Sequence, residues 1–177
     1  MASYYYLVST LPSLRWEDES PFSCDEFLDM CRGNISKKDY NIIEETFSGR
    51  PTSCSYVKNW QKFQTMVKKE MADQRSKKLK ISGDKYKNSG DKESRIVESV
   101  RNALSAPNAL EGELIIMQLY WKYLDDESSS HVFDLEGLLS FSIKLQLLER
   151  KSRFDRVEGN REFTALLSNL QSNIKGN

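Results

Sequence analysis

The chain has 177 residues, 38% hydrophobic and 29% charged, with only 8 Gly and 4 Pro, a composition that excludes collagen-like, low-complexity and unfolded classes. Its 26 basic and 26 acidic groups cancel, and no apolar run approaches the ~20 residues needed to cross a bilayer core, so one soluble domain over 1–177 is expected. Three cysteines, an odd number, and an N-terminus without the basic start and long apolar core of a secretion signal point to a reducing cytoplasm.

Taken in chain order, helix signals outnumber strand signals. Tyr4 to Leu11 is an aromatic apolar run read as a first helix. Ser23 and Glu26 form a capping box ahead of Phe27, Leu28 and Cys31, with Gly33-Asn34 as the stop. Ser36-x-x-Asp39 opens a third helix bearing Tyr40, Ile43 and Phe47, closed by Gly49-Arg50-Pro51. From Ser55 to Leu79, the residues Tyr56, Trp60, Phe63, Val67 and Met71 make one stripe along about 25 residues, or roughly 37 Å of helix. The other faces carry Lys58, Lys62, Lys68, Lys69, Arg75, Lys77 and Lys78. Because the stripe thins after Met71, the far end is expected to project beyond the core.

Ser82-Gly83-Asp84-Lys85 recurs as Ser89-Gly90-Asp91-Lys92. That segment reads as a loop, with Gly83 suited to a left-handed C-cap and Asp91 to an N-cap. A return arm from Lys92 to Ser105, bearing Ile96, Val97, Val100 and Leu104, completes a helical hairpin over 55–105. Pro107 suits the first turn of the next helix, where Leu110, Leu114, Met117, Trp121 and Leu124 share a face. After a polar break from Asp125 to Ser130, Asp134 caps a helix whose Leu135, Leu138, Leu139, Ile143, Leu145, Leu147 and Leu148 imply burial on more than one side. Phe163, Leu166, Leu167, Leu170 and Ile174 mark a last amphipathic helix. The fold class expected is all-α, an irregular multi-helix bundle with a protruding basic helical hairpin.

Charge is unevenly spread. Residues 58–101 hold 13 basic against 6 acidic groups, between two acidic flanks. Such a middle can meet a polyanion or an acidic protein surface, or be a solvated face. Signatures of catalysis are absent. His131, the one histidine, stands beside Ser128, Ser129 and Ser130, an adjacency that does not orient a base toward a nucleophile. With Cys24, Cys31 and Cys54 it would make four metal ligands, but their spacing matches no zinc motif and the cysteines read as buried small hydrophobes. The Gly83 to Lys92 stretch lacks phosphate-loop spacing. No catalytic residue, metal or cofactor is assigned.

The run Tyr4-Tyr5-Tyr6-Leu7-Val8-Ser9-Thr10-Leu11-Pro12-Ser13-Leu14, followed by Ser23-Cys24-Asp25-Glu26-Phe27-Leu28 and Ile35-Ser36-x-x-Asp39, resembles a family of uncharacterised bacterial proteins encoded among V-type (archaeal-type) ATP synthase genes. A tyrosine-rich first helix and an all-helical body are also similar to the C subunit of those rotary ATPases, called d in eukaryotes, although this chain is about half the length expected of it. The resemblance implies a non-catalytic subunit or assembly factor that contacts the rotor ring or central stalk and meets the membrane only through that complex. In this reading Tyr4, Tyr5 and Tyr6 offer aromatic anchors, and Lys68, Lys69, Arg75, Lys77 and Lys78 face acidic partner surfaces. Alternatively, the tyrosines pack in the core with their hydroxyls at its edge. A second class is nucleic-acid binding by the basic hairpin, with Tyr86 or Trp60 stacking on bases. An enzyme of unrecognised type is the third.

Overall fold

A computed structural model describes residues 4–81, 90, 93–154 and 164. Among them are seven helices and no strand, so the fold is all-α: α1 Tyr4–Thr10, α2 Cys24–Arg32, α3 Lys37–Ser48, α4 Ser55–Lys78, α5 Ser94–Ser105, α6 Ala109–Ser128 and α7 Leu135–Ser152. Phe163, Leu166, Leu167, Leu170 and Ile174 of the expected last helix and most of the tetrapeptide repeat, with Gly83 and Asp91, lie outside the described residues.

Local chemistry sets the helix ends. Ser23 accepts from the Glu26 backbone while the Glu26 carboxylate takes the Ser23 N–H at 2.7 Å, a complete capping box. Ser36, Asn108 and Asp134 cap α3, α6 and α7 in the same way, each accepting a backbone N–H three residues on. Gly49 ends α3 in the left-handed conformation at φ 66°. At the end of α4 the left-handed residue is Lys80, φ 54°, and not a glycine. Pro107 sits just ahead of the Asn108 cap instead of in the first turn, and α6 runs on through the expected polar break to Ser128.

The leucine-rich α7 occupies the middle. Leu138, Leu139, Ile143, Leu145, Leu147 and Leu148 are all buried, along with Ser140 and Ser142. On one side α6 runs antiparallel to it, tied by Lys144 to Asp125 at 2.6 Å and Arg150 to Glu113 at 2.7 Å. On the other side lie α2 and α3. Phe27 and Phe22 meet Phe141 at 5.2 and 6.1 Å, and Gln146 donates to the Phe47 carbonyl. The first turns of α4 reach the start of α7, where Tyr56 meets His131.

The packing of α4 corrects the expected hairpin. Lys78, at the end of α4, donates to the carbonyl of Leu104 near the end of α5, Gln74 donates to Val97, and Arg95 at the start of α5 lies over the ring of Phe63. These pairs advance together, so α5 runs the same way as α4 and is not its antiparallel return arm. Its antiparallel neighbour is α6, joined by Arg95 to Asp126 at 2.9 Å and by the close approach of Ala103 to Gly112. The segment from Lys78 to Ser94 is long enough, at up to ~3.4 Å per residue, for the chain to double back. Nor does the second half of α4 stand clear of the protein, since Glu70 and Asp73 are 2% exposed. Its stripe changes from apolar to acidic instead of ending. Trp60, Phe63, Tyr120 and Tyr123 form an aromatic cluster between α4 and α6, with Phe63 and Tyr123 stacked at 3.9 Å.

Gly112 tests this contact. A Cβ there meets the Ala103 carbonyl oxygen at 2.7 Å, whereas one at Gly33 meets nothing within 4 Å. Gly112→Ala is expected to destabilise by roughly 1–3 kcal/mol through overpacking, more than offsetting the ~1 kcal/mol that Ala gains in helix propensity. Gly33→Ala should stay within about 0.5 kcal/mol of the parent. Urea unfolding midpoints of both variants decide it.

Candidate functional site

Several chain segments converge at the start of α7: α1, the first turn of α3, the first turn of α4, the end of α6, and the 131–134 loop. Asp134 organises the corner. Its Oδ1 caps α7 by accepting the Gly137 N–H at 2.9 Å, and its Oδ2 lies 2.6 Å from His131 Nδ1. Gly137 lets the loop fold this tightly, because a Cβ there would lie 2.8 Å from the His131 carbonyl oxygen and 3.2 Å from that of Val132. His131, Asp134 and Glu136 are each half-buried, with potential ligand atoms within 4.8 Å of one another.

Above this loop sits α1. The Tyr4 hydroxyl donates to Asp39 Oδ2 at 2.6 Å, and the Ser36 hydroxyl donates to the same oxygen at 2.6 Å. Burial, then the Asp39 hydrogen bond, then the charges of Asp39, Glu136 and Asp134 push the Tyr4 phenol far above its usual range, so it remains a donor. Tyr56 approaches from α4, its ring edge-on to His131 with centroids 6.4 Å apart. Its hydroxyl is buried beside the Ser140 hydroxyl but completes no hydrogen bond of good geometry, since Ser140 is given to the Leu124 carbonyl at 3.3 Å. Burial raises this phenol too, assisted by Glu127, Glu136 and Asp134, while Ser140 pulls it down.

The three leading tyrosines separate. Tyr4 is the structural one, anchored to α3, whereas Tyr5 and Tyr6 are each 66% exposed and Leu7 carries the buried face of α1. Tyr5 packs on Phe133 at 5.1 Å, and Phe133 and Val132 are themselves at least half exposed. An apolar corner thus caps the acidic one. Of the basic candidates, Lys68, Lys69, Arg75, Lys77 and Lys78 are all exposed, but they do not form one face. Lys77 is paired with Asp73 at 2.7 Å and Lys78 is spent on Leu104. Arg75 borders a separate groove of about 410 Å³ with Met71, Leu104 and Ile116. Lys58, Lys62 and Lys69 share the solvent side of α4 opposite its buried stripe.

Other sequence candidates resolve differently. Ser128 and Ser129 turn their hydroxyls to the Asp125 and Asp126 carbonyls, leaving His131 to Asp134. Cys24, Cys31 and Cys54 are free thiols and do not join His131 in a ligand cluster among the described residues. Cys31 is fully buried, and burial pushes its thiol up to about 12; Cys24 reaches about 12 through burial and Glu149. Both are protonated at neutral pH and act as packing. Trp60, 6% exposed and enclosed by Phe63, Tyr120 and Tyr123, has no free face for a base; Tyr86 lies outside the described residues. No described helix is long and apolar enough to cross a membrane. Glu136 and Asp39 were missed as site residues in the sequence, where only the caps signalled these turns.

A family model described as a protein of unknown function (DUF2764) matches residues 1–47 and 93–174, well over half of the chain. The protein belongs to that family. No curated protein matches it, and no solved structure does. Tyr4, Tyr5, Tyr6, Asp39, His131, Phe133, Asp134 and Glu136 all fall in the segments matched by the DUF2764 family, whereas the whole of α4, including Tyr56 and the lysine face, falls between them.

The His131–Asp134 pair has a measurable signature. The hydrogen bond to Asp134, and then the charges of Asp134, Glu136 and Glu127, raise the imidazole above its ordinary value. Because the folded-state value lies above the unfolded one, the pair supports the fold fully below about pH 6.5, and that support is lost as pH rises through the raised value. An NMR titration of the sole histidine should give a midpoint above ~6.5, and Asp134→Asn should bring it down. An unchanged midpoint in the variant would contradict the pairing.

Proposed function

We propose that this protein works by contact, as a non-catalytic helical subunit or assembly factor of a V-type ATP synthase, docking on the rotor ring or central stalk and meeting the membrane only through that complex. The observation that carries the contact reading is the exposed corner where Tyr5 packs on Phe133 beside Val132, with Tyr6 exposed next to Tyr5 on α1. Contiguous exposed aromatic surface is uncommon on a monomer, and tyrosine and phenylalanine are enriched where interfaces exclude water. The corner is built on two helix starts that are fixed from below by Tyr4, Asp39 and Asp134, so it is rigid before any partner arrives. The resemblance of the first 45 or so residues to proteins encoded with V-type ATPase genes supplies the identity of the partner. Lys58, Lys62 and Lys69, which make no ion pair among the described residues, add a basic face suited to steering toward acidic subunits.

Nucleic-acid binding by that same face is the weaker reading. Lysines alone provide phosphate affinity, but the enclosure of Trp60 removes one of the two stacking groups proposed to hold a single strand.

The corner is tested by Tyr5→Ser combined with Tyr6→Ser. Both side chains are mostly in solvent, so helical circular dichroism and the melting temperature should hold, while co-purification of rotary ATPase subunits from the native cell should fall at least tenfold. Capture undiminished in the folded variant rejects the corner as the interface. A wild-type pull-down without any ATPase subunit rejects the complex itself.

A further inference from the structure

We propose that His131, Asp134 and Glu136 form a binding site for one first-row divalent cation of the Zn²⁺ or Mn²⁺ type. One imidazole nitrogen and two carboxylates make a borderline donor set that suits these ions better than Ca²⁺, which takes oxygen ligands alone. Two ligands on one ion at ~2.0–2.2 Å can lie at most ~4.4 Å apart. The observed spacing, all within 4.8 Å, therefore closes with a small movement of the Glu136 side chain. The His131–Asp134 contact opens from 2.6 Å to the ~3 Å or more that two adjacent ligands on one ion require, with Asp134 keeping its cap. Asp134 Oδ1 is held by the Gly137 N–H, leaving Oδ2 and His131 Nδ1, 2.6 Å apart, on the same side. The ion replaces the proton between those two atoms, and that proton leaves to solvent.

Three further observations point to a cation. The charges of Asp134, Glu136 and Glu127 all act on His131, and among the described residues none of the three is ion-paired with a lysine or arginine. The Tyr56 hydroxyl is the one buried side-chain polar atom without a hydrogen bond among the described residues. At 8% exposure, with its ring edge-on to His131 and the charges of Glu136 and Asp134 acting on it, it adjoins the cluster as a buried polar group still in need of a partner. Finally, the loop is already clamped, since Gly137 brings the α7 backbone against the His131 and Val132 carbonyls. Clamping reduces the ordering that binding would otherwise cost. The electropositive end of α7 opposes a cation, and the surrounding carboxylates offset it. This proposal is independent of the contact reading above.

The test uses the full chain without a polyhistidine tag, titrated separately with ZnCl₂ and MnCl₂ while the ring signals of His131 are followed by NMR. As the only histidine, it reports this site alone, whatever the cysteines bind. Zn²⁺ should shift the ring signals to saturation at one equivalent, and substoichiometric Mn²⁺ should broaden them. Glu136→Gln should weaken both effects at least tenfold with helical content unchanged, and Glu98→Gln, exposed on α5, should not. Ring signals unmoved by millimolar concentrations of both ions overturn the site. So does equal affinity in Glu136→Gln and the parent, which would mean loose attraction to an acidic surface.

Discussion

A helix that is apolar round most of its circumference cannot sit on a surface, and α7 imposes that constraint on everything else. Its buried leucines point in several directions, and each direction has to be covered by a different element: α6 on one flank, α2 and α3 on another, and the start of α4 at one end. At about 1.5–3 kcal/mol for each fully buried large side chain, α7 alone supplies a large share of the driving force for assembly. The neighbours need only amphipathic faces, and α2, α3 and α5 have them.

Covering a central helix from several sides brings its neighbours' ends together at its start. Helix starts are rich in capping groups, because the first-turn N–H groups need acceptors. Asp134 and Ser36 are present for that reason, and both are drawn into wider use. Asp134 caps α7 and holds His131, while Ser36 and Tyr4 share one oxygen of Asp39. The outcome is a cluster of His131, Asp134 and Glu136 next to the exposed aromatic pair of Tyr5 and Phe133. The contact reading draws on the aromatic pair and the metal reading on the cluster.

Much of the helical plan was legible. The capping box at Ser23 and Glu26, the stops at Gly33 and Gly49 and the Asp134 cap depend on residues three or four apart, so local spacing suffices to see them. Tyr56, Trp60, Phe63 and Val67 do share a buried stripe. The reading failed where distant parts of the chain decide. Ile116, Leu119 and Tyr123 give α6 a second buried face, because α4 and α5 lie on one side of it and α7 on the other. The hairpin was inferred from a turn-like repeat, yet the stripe of Ile96 and Val100 fits a neighbour running in either direction. Gly112 lets α6 approach α5 closely enough to make that antiparallel pair the tighter one. In the same way, a stripe of aromatics says that Trp60 is buried only once Tyr120 and Tyr123 are known to face it.

By itself, the amino-acid order determined the class of fold, the position of most helices and the absence of any recognised catalytic motif, because periodicity and capping act over a few residues. Tertiary structure alone decided which way α5 runs, which of the three leading tyrosines is anchored and which two face solvent, and that His131 meets Asp134 and Glu136 under Tyr56 instead of any cysteine. Those outcomes depend on side chains brought together from places as far apart in the chain as Tyr5 and Phe133, and the geometry of that meeting is set by how the helices share α7.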